Sequence, residues 1–161
     1  MTALKPCLHP LARLVPQAPP MILIDEVVGW NQDQVMTRLT VRRDAAFAQD
    51  AGIPAHIALE WMAQTCAAFV GIMALEAQQP VRVGFILGTR DFRATVPWFS
   101  FGDSLTVTAL STFNDGEMAQ FDCRLDRQSE TCATARLTVF QPRDLPAMLA
   151  SQGLGSVGSL T

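Results

Sequence analysis

The chain has 161 residues and a mass of 17.5 kDa, with 49% hydrophobic and 17% charged residues. That composition suits one domain with a real core and excludes wholesale disorder. Twelve basic against fifteen acidic side chains leave a net charge of −3, with neither the basic surplus of a nucleic-acid binder nor an acidic solvating block.

Residues 1–20 are broken by five prolines and read as an extended lead-in, without the unbroken apolar centre of a secretory signal. Segments 21–30 and 34–41 have strand composition and flank Asn31-Gln32-Asp33, which predicts a hairpin. Gly52 and Pro54 interrupt the chain, and Pro54 suits the first turn of a helix. A helix is predicted from Ala55 to about Ala77. Between Trp61 and Leu75 it carries no charge on any face, the mark of a buried helix. At ~1.5 Å per residue it would run roughly 33 Å. Ala63, Ala67, Gly71 and Ala74 form a stripe of small residues fit for close approach of another backbone. Leu59, Met62, Cys66, Phe69 and Met73 form a bulky one.

Strand-like segments follow at 81–96, 104–113, 117–126 and 131–140, with turns at Asn114-Asp115-Gly116 and Arg127-Gln128-Ser129. Residues 1–150 are therefore expected to form a single domain, and the small, polar 151–161 a mobile tail. A lone buried helix can be hidden only by a sheet that curls around it, and such a sheet leaves an open edge that favours dimerisation. The expectation is an α+β domain, helix-in-sheet and dimeric. No eighteen uncharged apolar residues run together, which argues against a membrane span. Cys7, Cys66, Cys123 and Cys132 lack the spacing of a zinc site or redox dithiol and are expected to stay reduced in a cytoplasmic protein. Cys123 and Cys132 are candidates for neighbours across the last hairpin.

Glu60 does not fit a purely structural helix. It lies in the second predicted turn with no Lys or Arg within four positions, so it reads as an unpaired, desolvated carboxylate suited to proton exchange. The plainer alternative is a charge that complements the helix dipole. His56, four residues earlier, falls on the same face and could pair with it where free backbone N–H groups polarise a carbonyl; it could equally cap or pack the helix start. Arg82, Arg90 and Arg93 could meet a phosphate, though a solvated strand face is the simpler reading. His9 reads as a surface residue.

Four segments, in order, resemble hotdog-fold enzymes of the β-hydroxyacyl-acyl carrier protein dehydratase type. Leu14-Val15-Pro16-Gln17-Ala18-Pro19-Pro20-Met21-Ile22-Leu23-Ile24-Asp25 is similar to the family's L-P-H-R-x-P-x-L-L-x-D. Ile53-Pro54-Ala55-His56-Ile57-Ala58-Leu59-Glu60-Trp61-Met62-Ala63-Gln64 is similar to M-P-G-V-L-x-x-E-A-x-A-Q. Phe92-Arg93 with Val96-Pro97 is similar to K-F-R-x-P-V-x-P, and Gly102-Asp103-Ser104-Leu105 to G-D-x-L. The resemblance implies a long helix wrapped by an antiparallel sheet, in a dimer with active sites at the interface. It also implies removal of water from a 3-hydroxyacyl thioester carried on phosphopantetheine, as an acyl carrier protein or CoA thioester, with no metal or further cofactor.

In the family, the helix glutamate shares proton transfer with a loop histidine of the other subunit, and N–H groups at the helix start hold the thioester oxygen. Glu60 falls on the glutamate and Gln64 on the glutamine. The histidine position holds Ala46, followed by Phe47, and the glycine position holds Ala55, whose N–H stays available. The candidate catalytic residues are Glu60, with His56 by proximity; the candidate substrate contacts are Ala55, Gln64, Phe47 and Arg93. The variant G-I-P-A-x-x-x-L-E-W-M-A-Q with V-R-V-G-F-I-L-G-T-R is similar to a subgroup found with aryl polyene biosynthesis, in which such a chain partners a second hotdog subunit. Three functions follow as expectations: a dehydratase first, as homodimer or heterodimer. Next is a thioesterase using one helix carboxylate, and last a catalytically weak acyl-binding subunit that stabilises an active partner. Neither nucleic acid nor membrane is expected as a partner.

Overall fold

The computed structural model describes residues 2–153; the rest of the proposed tail, 154–161, lies outside the described residues. In chain order the elements are β1 (Glu26–Trp30), β2 (Gln34–Thr40), β3 (Ile53–Pro54), α1 (Ala58–Glu76), β4 (Phe85–Ala94), β5 (Trp98–Phe99), β6 (Ser104–Asn114), β7 (Met118–Arg127), β8 (Glu130–Phe140) and α2 (Leu145–Ser151). Six strands form one antiparallel sheet in the order β1-β2-β6-β7-β8-β4, and β3 pairs with β5 apart from it. Helix α1 lies against β2, β6, β7 and β8. It is the helix-in-sheet arrangement that the sequence led us to expect.

The bulky stripe of α1 makes the core. Met62, Cys66 and Phe69 are buried against Leu105, Val107, Phe121 and Leu137 from the sheet, each such side chain contributing ~1.5–3 kcal/mol on burial. Phe69 meets Phe121 edge-on with centroids 5.6 Å apart, and Trp61 packs on Phe99 at 5.3 Å. Polar groups enter with partners: the Thr37 and Thr65 hydroxyls bond at 2.8 Å, and the Thr65 hydroxyl donates to the Trp61 carbonyl at 2.8 Å. By length and hydropathy α1 could cross a membrane, but 61% of its most apolar window is already buried inside the fold.

The small stripe faces the lead-in. At Gly71 a Cβ would stand 2.6 Å from the Leu14 carbonyl oxygen and 3.0 Å from its Cα, so only glycine lets the strap lie this close to the helix. The strap runs the length of α1. His9 Nε2 bonds Glu76 Oε1 at 3.0 Å near the helix C-terminus, and Gln64 holds Met21 and Leu23 near the other end. This clamp explains why residues 21–25 are not part of β1, as the predicted strand 21–30 required. Their backbone groups are spent on a helix side chain and on Arg38, whose carbonyl takes the Asp25 N–H at 2.9 Å. Further upstream, Lys5 and Trp30 exchange backbone bonds of 2.8 and 3.0 Å, which pair the last residue of β1 on its outer side.

Two other expectations are corrected. Cys123 sits opposite Ala135, not beside Cys132; its neighbour is Cys66, with sulfurs 3.6 Å apart. Burial, reinforced by Cys123, pushes the Cys66 thiol well above its ordinary range. The helix does not begin at Ala55 as α-helix. A 3₁₀ turn, Ala55–Ile57, precedes it, pinned because Ile53 and Pro54 pair with Phe99 and Trp98.

Candidate active site

Glu60 lies in the first turn of α1 and is half-buried. It is not the partnerless carboxylate that its sequence neighbours suggest. Its Oε1 accepts from Gln64 Nε2 at 3.2 Å and from Gln17 Nε2 at 3.4 Å. Among the described residues nothing donates to Oε2. Two amides thus hold one oxygen of the carboxylate and leave the other without a side-chain partner.

Glu60 lines a groove that runs along the small stripe past Ala63, Ala67 and Val70. This narrow stretch, about 100 Å³, shares Val70, Arg82, Val139 and Gln141 with a larger cavity of about 530 Å³ beside Met73 and Ala74. From Glu60 to Ala74 the helix rises roughly 21 Å at ~1.5 Å per residue. The walls between are mainly aliphatic; Arg82 borders both stretches, and Arg143 lines only the larger cavity. One wall is the start of β4, where Phe85 and Ile86 are exposed. Glu60 is the only carboxyl or imidazole among the residues lining the narrow stretch.

The remaining sequence candidates fall differently. Gln64 is fully buried and saturated: Oε1 accepts the Leu23 N–H at 2.8 Å, and Nε2 donates to the Met21 carbonyl at 2.8 Å besides Glu60. It orients Glu60 and anchors the strap, and it has no surface to offer a substrate. The Ala55 N–H, expected to be available, is already bonded to the Pro97 carbonyl at 3.0 Å. The His56 N–H donates to nothing outside its own turn among the described residues, which leaves it as the free donor at the helix start. The His56 ring is exposed and makes no hydrogen bond to Glu60; it sits in the 3₁₀ turn and not in α1.

Ala46 and Ala45 line a separate cavity with Trp61 and Leu39, and none of its residues lines the Glu60 groove. Loop 44–47 is therefore not part of the wall around this chain's own carboxylate. Phe47 stands in that loop at φ 69° and is exposed. Arg93 is exposed on β4 opposite Thr134. Neither is brought to Glu60. Other motif residues hold the frame: Asp25 accepts from the Thr40 N–H and both terminal nitrogens of Arg42, and Asp103 from the Ser100 N–H and Arg127. Gln17 was not singled out in the sequence. Its only signal was its place at the histidine of the L-P-H-R motif.

A long helix cradled by an antiparallel sheet defines the hotdog class. Residues 9–150 match the model of the ApeP-like family, described as ApeP dehydratase. The chain belongs to this family of dehydratases. A solved structure, the dehydratase heterocomplex ApeI:P from Xenorhabdus doucetiae, is 26% identical over 90% of this chain and 99% of that one, with a TM-score of 0.83. A hypothetical thioesterase with coenzyme A from Streptococcus pneumoniae TIGR4 is 12% identical, with coverage of 73% and 84% and a TM-score of 0.58. The E. coli PaaI protein from the phenylacetic acid degradation operon is 13% identical, with coverage of 73% and 78% and a TM-score of 0.58. These last two share the fold alone. Comparison with curated protein sequences finds no match.

Proposed function

We propose that the chain is one subunit of a 3-hydroxyacyl-thioester dehydratase whose acid is Glu60 and whose base is supplied by a second hotdog subunit. The observation that carries this is the carboxylate itself: one oxygen is held by two amides, the other has no donor, and the narrow stretch beside it holds no further carboxyl or imidazole among the described residues. Dehydration needs two proton transfers. A base removes the C2 proton, the electron pair forms the C2–C3 double bond, and the C3–O bond breaks as the acid protonates the departing hydroxyl to give water. Glu60 fits the second role, with Oε2 carrying the proton. The His56 N–H fits the developing charge on the thioester oxygen, and the aliphatic groove fits the acyl chain. The substrate arrives on phosphopantetheine, and the chemistry calls for no metal or further cofactor.

Ala46 supports the two-subunit reading. The resemblance places the histidine that shares proton transfer on the other subunit's loop, so Glu60 needs an imidazole from a partner, and Ala46 supplies none in return. The pairing named for the Xenorhabdus complex supports a heterodimer of the same kind. Exposed Phe85, Ile86 and Leu87 on edge strand β4 offer the surface.

The test is turnover of a 3-hydroxyacyl thioester by the chain alone and with an ApeI-type partner, following enoyl product and released thiol together. Enoyl formation is expected only with the partner, and Glu60→Gln should lower it on the order of 10²–10⁴-fold. Thiol release without enoyl product would instead make the chain a thioesterase. Enoyl formation untouched by Glu60→Gln would reduce the chain to a stabilising subunit.

A further inference from the structure

Two buried side-chain atoms lack a hydrogen-bond partner among the described residues: Thr108 Oγ1 on the sheet and Gln17 Oε1 in the strap. The second stands beside the candidate acid. A buried acceptor without a donor costs free energy, and native proteins carry few of them. The alternative amide orientation would turn Oε1 toward Glu60 Oε1, setting two acceptors face to face. The carboxylate therefore dictates which way the amide points, and the strap bears the orphaned oxygen as the consequence.

The backbone around Gln17 is built to hold that orientation. Pro16, Pro19 and Pro20 restrict φ on both sides of it. Leu14 is seated on Gly71 upstream, and Gln64 clamps Met21 and Leu23 downstream. Gln17 also lines the same narrow stretch of groove as Glu60. Its N–H approaches at 3.4 Å, the long end of the hydrogen-bond range, as is common for functional contacts that tighten when substrate is bound.

We propose that Gln17 is a positioning residue for Glu60: together with Gln64 it saturates Oε1, so that Oε2 alone exchanges protons with the substrate. This rests on the reading of Glu60 as the acid. It differs from a packing role in a measurable way, because a residue kept at a cost to stability should be replaceable by an apolar one without loss of folding.

The experiment compares wild type, Gln17→Met and Gln17→His, each in the full chain with its partner, by thermal unfolding and by the kinetics of 3-hydroxyacyl-thioester dehydration. Gln17→Met should hold or raise Tm, lower kcat about tenfold and leave KM unchanged. Gln17→His, which keeps an N–H donor, should recover most of the lost kcat. A fall in Tm with unchanged kcat would overturn the proposal and make Gln17 a packing residue. A second measurement does not depend on turnover. Tm values for Gln17→Met, Glu60→Met and the double variant should be non-additive, and additive shifts would refute the contact itself. If the wild-type complex forms no enoyl product while the Tm values remain non-additive, it is the dehydratase reading that fails and not the pairing.

Discussion

Replacing Gln64 by leucine tests how the strap, helix and candidate acid are joined. The side chain has 0% exposure and makes three bonds, to the Leu23 N–H, the Met21 carbonyl and Glu60 Oε1. Leucine fills similar space and makes none of them. Met21 is exposed, and its carbonyl can turn to water. The partly buried Leu23 N–H has less access to solvent, and leaving such a group unpaired costs ~1–3 kcal/mol. With one donor to the carboxylate also lost, the sum is about 3 kcal/mol. For a chain of this size, at ~2–4 °C per kcal/mol, Tm should fall by roughly 6–12 °C. The assay is thermal unfolding at fixed protein concentration, with Gln64→Glu alongside. That variant keeps an acceptor for Leu23 but sets a second carboxylate against Glu60, so its Tm should recover as the solution is acidified and one of the two takes a proton. A Gln64→Leu protein melting within about 2 °C of wild type would refute the clamp, since the orphaned N–H alone accounts for at least that much.

Two further outcomes follow from named contacts. Gly71→Ala gains ~1 kcal/mol of helix propensity but drives a methyl against backbone atoms of Leu14, where overpacking costs ~1–3 kcal/mol. Tm should fall and limited trypsin cleavage after Arg13 should quicken; a rise in Tm would show that the strap moves aside freely. Asp115 in the β6–β7 turn is held below its ordinary value of 3.8, first by the Met118 N–H and then by that of Glu117, with Arg143 adding a smaller pull. A depressed carboxyl contributes stability above its unfolded value and loses it as pH falls through the folded one. The Tm difference between wild type and Asp115→Ala should therefore be steady above about pH 4 and shrink below it. A difference that persists in acid would contradict this assignment.

The elements written by local periodicity were legible in the sequence. Alternation of Ala133, Ala135, Leu137 and Val139 places their side chains on the buried face of β8, and Asn114-Asp115-Gly116 marks the turn between β6 and β7. The uncharged run after Trp61 gives α1. Missed features depend on contacts between distant segments. The two-residue pair β3 and β5 is too short to leave a periodic signal, yet it takes the Ala55 N–H away from the site. Glu60 was found because a lone acid in an apolar helix is conspicuous, whereas its donors Gln17 and Gln64 are ordinary amides whose roles appear only once 43 and 4 positions of separation are closed in space. At His56 the four-residue spacing assumes one continuous α-helix, whereas the residue lies in the 3₁₀ turn before it and makes no bond to Glu60.

The two edges of the main sheet have opposite social behaviour. At β1 the Lys5 segment already occupies the outward-facing backbone groups of Trp30, and Lys5 Nζ sits 4.2 Å above the Trp30 ring. At the other end, β4 offers an uncovered strand. A sheet with one valence can join a neighbour once, and the union consumes the reactive edge of both. Pairing of two such sheets through β4 would use up the open edge of each. The short contact of Lys5 with Trp30 thus leaves the two ends of the sheet unlike: one strand has a residue already paired outward, the other is open.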